Sequence, residues 1–326
     1  MVNKNINYNI QGLRGIAFIL IFISHSLVIY NNNGFNITTG FGAFGVEIFI
    51  VLGGFLAFKY FPSKIDYREY CKRKILRFLP LHFLTLLIAI PLCLPFNSSL
   101  FLKILLNISL LQVWIPRNGV YFSLNAVSWY LGVYIFFILL TPFLVRKISN
   151  FSHRKLIVSL ILIQFIELSL VGLTEYITLD SHWVTYVCPI SRVLDFVGGG
   201  ILFKLSNLKS RIDFNGVSKI GVLLSVLFLI CSMNFNNEIF STALWFLPSL
   251  LIVLGVCLNE SSKQSLFSKL GDISFELFLF HQLVIRYVKS CFQYLGIDNS
   301  IILIIASFLL SVLIARKYNQ LTIGCK

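Results

Sequence analysis

The sequence predicts an all-α polytopic membrane protein, a bundle of about ten transmembrane helices. Three observations predict it. The 326 residues are 57 % hydrophobic and only 12 % charged, where soluble domains hold about 45–50 % and about 25 %. The mean hydropathy is +0.85, so folding alone could not hide the apolar surface from water. The apolar residues gather into eleven runs, and the basic residues fall in the short segments between them, as the positive-inside rule requires.

The runs lie at 15–30, 42–61, 77–95, 100–114, 126–145, 156–173, 187–203, 217–233, 240–258, 271–288 and 299–315. The first is interrupted by Ser24 and His25 and is followed by no small-residue cleavage site, so it is expected to stay in the membrane. The fourth, FLKILLNISLLQVWI, is short and carries Lys103 and Asn107. If it does not cross, the loops alternate strictly with the N-terminus inside. The inner segments then hold Lys4; Lys64, Arg68, Lys72, Arg73, Lys74 and Arg77; Arg146, Lys147, Arg154 and Lys155; Lys204, Lys209, Arg211 and Lys219; and Lys263, Lys269, Arg316, Lys317 and Lys326. The outer segments hold Lys103, Arg117 and Lys289. If it did cross, the Arg146–Lys155 cluster and all later ones would fall outside. Ten spans with both termini cytoplasmic are therefore expected, with 96–125 as an outer loop holding an interfacial or re-entrant segment. Residues 1–326 read as a single membrane-embedded domain without an obvious internal repeat, which weakens a secondary-transporter architecture.

The formal charge of +14 would suit nucleic acid, but its placement in interhelical loops argues against such a partner. Cys71, Cys93, Cys188, Cys231, Cys257, Cys291 and Cys325 show no metal-ligand spacing and read as small hydrophobes, so no metal is expected. No nucleotide loop, zinc motif or nucleophile elbow is present.

What remains are ionisable groups inside apolar runs, where they are costly and functional by default. Arg14 and His25 are eleven residues apart, three helical turns plus about 20°, so they share one face and differ in depth by roughly 16 Å. That face joins an anion-binding group at the inner mouth to a proton acceptor near mid-bilayer; the plainer reading is a topology anchor and a core histidine. His281, in FELFLFHQLVIRYV, should lie at a similar depth, with Glu276 turned about 140° away from it. Glu47 in the second run has three readings: orienting a histidine, binding a hydroxyl, or pairing with an arginine. Lys72, Arg73, Lys74 and Arg77 crowd the inner end of the third run, either to hold phosphates of an anionic donor or only to set topology. Arg192 and Asp195, at i and i+3, neutralise each other. Trp129 is either a belt residue at the outer surface or a wall of an acceptor groove.

Taken in order, these fragments resemble the integral-membrane acyltransferase-3 family, which O-acylates cell-surface and secreted carbohydrates. Arg14 through His25 is similar to that family's arginine–ten residues–histidine motif. GVEIFIVLGGFL resembles its second-span signature, with Glu47 in the acidic position and Gly53 where serine is more usual. In RKILRFLPLHFL, Lys74 and Arg77 match a basic–two residues–arginine pattern. PISRVLDFVGGG resembles the span marked by Pro189, Arg192, Asp195 and Gly199, and LGDISFELFLFHQLVI the late span ending in a histidine, here His281. SWYLGVYIFF departs: Trp129 and Leu131 match, but Tyr134 stands where many members carry a glutamate.

The resemblance implies a membrane-bound O-acetyltransferase of the bacterial inner membrane, a single acyltransferase domain over 1–326. It implies no permanently bound cofactor and acetyl-CoA as the acyl donor. The acceptor it implies is a cell-surface glycan or an undecaprenyl-linked precursor, as in O-antigen or capsule modification. Arg14, Lys74 and Arg77 would then hold the donor's phosphates, His25 would act as general base, and His281 would place the acceptor or stabilise the oxyanion. The rival reading is a polyprenyl-linked glycan flippase or polymerase without acyl transfer. The large outer loop with paired arginines that a polymerase would show is missing, and only Arg192, beside Asp195, lies well inside a run.

Overall fold

The computed structural model describes residues 7–30, 36–62, 64–174, 176, 180–207, 214–234, 243–259 and 261–323. Lys4, Lys209, Arg211, Lys326 and Cys325 lie outside them. Among the described residues the protein is all-α, with no strand. Its helices are α1 (Tyr8–Tyr30), α2 (Asn36–Lys59), α3 (Tyr67–Leu76), α4 (Leu79–Ala89), α5 (Ser98–Ile108), α6 (Asn118–Tyr121), α7 (Trp129–Ser149), α8 (His153–Leu173), α9 (Pro189–Ser206), α10 (Phe214–Asn234), α11 (Phe246–Leu258), α12 (Leu266–Asp272), α13 (Ser274–Tyr294) and α14 (Ser300–Ile323). Several starts are legible as caps. Asp66 accepts from the backbone N–H of Arg68 and Glu69, Asn97 from that of Leu100, and Ser265 and Ser268 form a reciprocal capping box. Pro189 opens α9 at a position where its missing N–H costs nothing.

The expected ten spans are corrected to seven: among the described residues, seven helical stretches are long and apolar enough to cross a membrane. They are Tyr8–Tyr30, Gly40–Lys59, Tyr67–Cys93, Ala126–Ser149, His153–Leu173, Trp183–Ser206 and Ser300–Thr322. The run at 217–233 supplies the shorter apolar stretch Gly216–Cys231 within α10, and the run at 240–258 the shorter apolar helix Ala243–Leu258. The run at 271–288 belongs to α13, long enough but diluted by Glu276, His281, Gln282, Arg286 and Lys289. An apolar run in sequence does not say where a helix begins, nor whether protein or lipid surrounds it. The short run at 100–114 becomes α5, eleven residues followed by tight turns, anchored by the fully buried Asn107.

Burial separates centre from periphery. The apolar window of α2 is 72 % buried, against 22 % in α8 and α14, whose exposed Ile, Leu and Phe side chains suit lipid contact. Two glycine contacts set the central spacing. A Cβ on Gly54 of α2 would fall 1.9 Å from the carbonyl oxygen of Phe196, and one on Gly199 of α9 would fall 2.0 Å from that of Val51. The two backbones touch, as small residues permit between helices in lipid. Gly15 of α1 and Gly271 of α12 meet in the same way, against Phe267 and Gln11. Gly53, by contrast, faces open space.

Candidate active site

α1 and α13 run side by side in the same direction, tied by two polar contacts and one longer-range charge pair. The side chains of Arg14 and Glu276 are in electrostatic reach near the two starts, His25 meets His281 midway, and Lys289 Nζ donates to the carbonyl of Ile29 near the far ends. Tyr30 ties α14 to the pair, donating to the Ile285 carbonyl at 3.1 Å with its oxygen 2.5 Å from Ser307 Oγ.

The histidines form a directional chain. His25 Nδ1 lies 2.8 Å from His281 Nε2, and His281 Nδ1 lies 2.8 Å from the Phe278 carbonyl and 3.1 Å from that of Leu277. The ring planes differ by 6° and the centroids are 5.0 Å apart, close to the largest separation such an N···N contact allows, so the rings lie edge to edge in one plane. Carbonyls only accept, so a neutral His281 carries its proton on Nδ1 and a lone pair on Nε2. That lone pair requires a proton on His25 Nδ1, and the lone pair of His25 is left on Nε2. Hydrogen bonding thus assigns both tautomers and leaves one imidazole nitrogen basic. Phe18, Phe22 and Phe278 enclose the fully buried His281, while His25 is half-buried.

One end of this chain is cationic. Arg14 donates to Gln11 Oε1 at 3.1 Å and is in electrostatic reach of Glu276, Tyr130, Arg77 and Asp272. Asp272, outside the candidate spans, has its carboxyl pushed above the ordinary range by burial, with Arg14 pulling the other way. Tyr134 feels both Arg77 and Arg14, and its ring lies nearly parallel to that of Tyr130 at 6.3 Å. The position where an acid was expected therefore presents a phenol to the two guanidinium groups. Lys74 is half-buried with its ammonium 5.9 Å from the Tyr70 ring centre, and Arg73 is held by Glu69 at 2.5 Å.

Glu47 hydrogen-bonds arginine rather than an imidazole. Arg192 donates to Glu47 Oε2 at 2.5 Å and to Asp195 Oδ2 at 2.9 Å, all three groups buried. Glu167 of α8, which the sequence reading passed over, joins them: it is buried and in electrostatic reach of Asp195, Glu47 and Arg192. Its signal was present as an acid inside an apolar run. Trp129 is 4 % exposed and packs on Tyr186 at 5.0 Å and Phe122 at 6.5 Å. Among the described residues no group of three or more His, Cys, Asp or Glu is placed to hold a metal ion.

Beyond the histidines, at the end opposite Arg14, lies a cavity of about 680 Å³. Val28, Phe122, Lys103, Gln282, Arg286 and Lys289 are among the residues lining it. Val28 is three residues beyond His25 and Gln282 adjoins His281, so the cavity floor is one helical turn or less from the pair. Arg286 and Gln282, absent from the sequence reading as site residues, became visible only through this geometry.

The model of a family described as an acyltransferase domain matches residues 7–316. O-acetyltransferase OatA of Staphylococcus aureus is 25 % identical over 320 residues, covering 86 % of this chain and 51 % of the relative. Acyltransferase MdmB of Streptomyces mycarofaciens is 24 % identical over 276 residues, covering 76 % and 70 %. The chain thus spans about half the length of the OatA proteins it matches. No solved structure matches it.

Proposed function

The chain belongs to the acyltransferase-3 family, and from that premise we propose that it transfers an acetyl group from cytoplasmic acetyl-CoA to a hydroxyl of a cell-surface polysaccharide or its undecaprenyl-linked precursor. It does so as a multi-pass protein of a bacterial inner membrane, with the Arg14 end facing the cytoplasm. The observation that carries this reading is the hydrogen-bond chain from the Phe278 carbonyl through His281 to His25, which leaves His25 Nε2 unprotonated.

Arg14 and Arg77, with Lys74 one turn earlier on α3, hold the donor's phosphates at the inner mouth. The thioester arm spans the roughly 16 Å of α1 between Arg14 and His25. His25 Nε2 takes the proton of the acceptor hydroxyl as its oxygen attacks the thioester carbonyl. The C–S bond breaks, the acetyl ester forms, and the CoA thiolate leaves with that proton. His281 is a positioning residue, holding the tautomer of His25 and stabilising the imidazolium through the same hydrogen bond. Glu47 acts through Arg192, fixing α2 against α9, and Trp129 backs Phe122 at the wall of the acceptor cavity.

Membranes containing the protein, given radiolabelled acetyl-CoA and native surface glycan, should yield base-labile acetyl esters. His25→Ala should lower that rate by about 10²–10⁴-fold at equal protein. Unchanged ester formation by His25→Ala would remove the imidazole from the chemistry.

A further inference from the structure

The far cavity has a charge that acyl transfer to a neutral sugar does not require. We propose that it is a binding site for an acidic group on the acceptor, a carboxylate or phosphate carried next to the hydroxyl that is acetylated. This rests on the acyl-transfer reading above.

Lys103, Arg286 and Lys289 converge on the cavity, and no Asp or Glu lines it. Arg286 donates to the carbonyls of Leu124 at 2.9 Å and Leu92 at 3.4 Å, and Lys289 to that of Ile29. Carbonyl dipoles satisfy N–H groups and aim the side chains but do not cancel their charge. The Lys103 ammonium has no hydrogen-bond or ion-pair partner among the described residues. Three like charges around one cavity repel one another and give it a positive potential, a cost that a bound anion removes.

Two further observations point to a ligand larger than an ion. The volume, about 680 Å³, lies in the range of organic-ligand sites. The lining also offers Asn97, Ser99, Ser123 and Gln282 for hydroxyl groups, and the buried Oε1 of Gln282 has no partner. Gln282, Arg286 and Lys289 follow at i, i+4 and i+7, one stripe of α13 that leads from the histidine pair to the mouth.

The test uses the full chain in membranes, radiolabelled acetyl-CoA and glycan extracted from the producing cells. Lys103→Gln is the cleanest variant because its ammonium holds no backbone group; Arg286→Gln and Lys289→Gln accompany it. Each should raise the KM for glycan by about tenfold and leave the KM for acetyl-CoA within twofold. Lys103→Arg should restore it, and added salt should raise the wild-type glycan KM more than that of Lys103→Gln. Two treatments of the glycan identify the source of charge. Reduction of its carboxyl groups to alcohols should abolish acceptance if the anion is a sugar acid, and removal of the lipid-linked phosphates should do so if it is a phosphate. Glycan acceptance that survives both treatments, or a Lys103→Gln variant that raises the KM for acetyl-CoA instead, overturns the proposal while leaving acyl transfer intact. Absence of any acetyl ester with the wild-type protein would overturn the acyl-transfer reading itself.

Discussion

The His25–His281 contact has a direction, and the direction comes from a backbone carbonyl. Because the Phe278 oxygen can only accept, His281 must donate from Nδ1, and every later proton in the chain is assigned in turn. His281→Ala should therefore lower the rate of ester formation by about 10²-fold with the donor KM little changed, since the base remains but its tautomer and orientation are released. His281→Gln should recover part of that loss, because an amide oxygen can accept from His25 Nδ1. Equal loss in both variants would make His281 a packing residue. Arg192 poses a different problem. It is one cation among Glu47, Asp195 and Glu167 in a buried site. Arg192→Leu should destabilise the protein by about 3–5 kcal/mol, seen as a lower unfolding temperature in detergent, because it strands buried carboxylates rather than deleting a pair. At this scale the sequence was informative about which residues to watch, since an ionisable side chain in an apolar run is rare. It was silent about partners: Glu47 had three readings, and only the α2–α9 packing selects arginine.

At the scale of elements, the spacing between α2 and α9 decides where that arginine sits. Gly54 and Gly199 let the backbones touch, and the ion pair between Arg192 and Glu47 spans the same interface. Gly199→Leu should separate the helices and abolish both stable insertion and activity, as measured by detergent-extracted yield and ester formation. Gly53→Ala should be neutral or slightly stabilising, because its position opens on free space and Ala favours helix by about 0.5–1 kcal/mol. The sequence presents Gly53 and Gly54 as equivalent neighbours; about 100° of helical rotation separates a contact from a void. Element length misled for a related reason. α13 fails the hydropathy expected of a span because its polar residues face protein and cavity. A window average treats them as facing lipid.

Over the whole molecule, two charged regions lie at opposite ends of one parallel helix pair, with the histidines between them. Arg14 and Arg77 mark one end, Lys103, Arg286 and Lys289 the other. Accessibility labelling of single cysteines at positions 14, 77 and 103 should place the first two on the cytoplasmic side and the third on the outer side. Labelling that separates 14 from 77 would break the donor site apart, and labelling that puts 103 with them would close the acceptor route.

The sequence by itself determined that this chain is all-α, membrane-embedded and studded with a few internal charges, because hydropathy and the placement of lysine and arginine are properties of composition along a line. It also placed Arg14 and His25 on one face, because helical periodicity is local. The tertiary structure alone decided that His25 meets His281 across 256 positions of chain, that Glu47 serves Arg192, and that three cations surround one cavity. Those facts depend on helix order, rotation and backbone contact, which are set by packing between segments distant in sequence and leave no mark on any one of them.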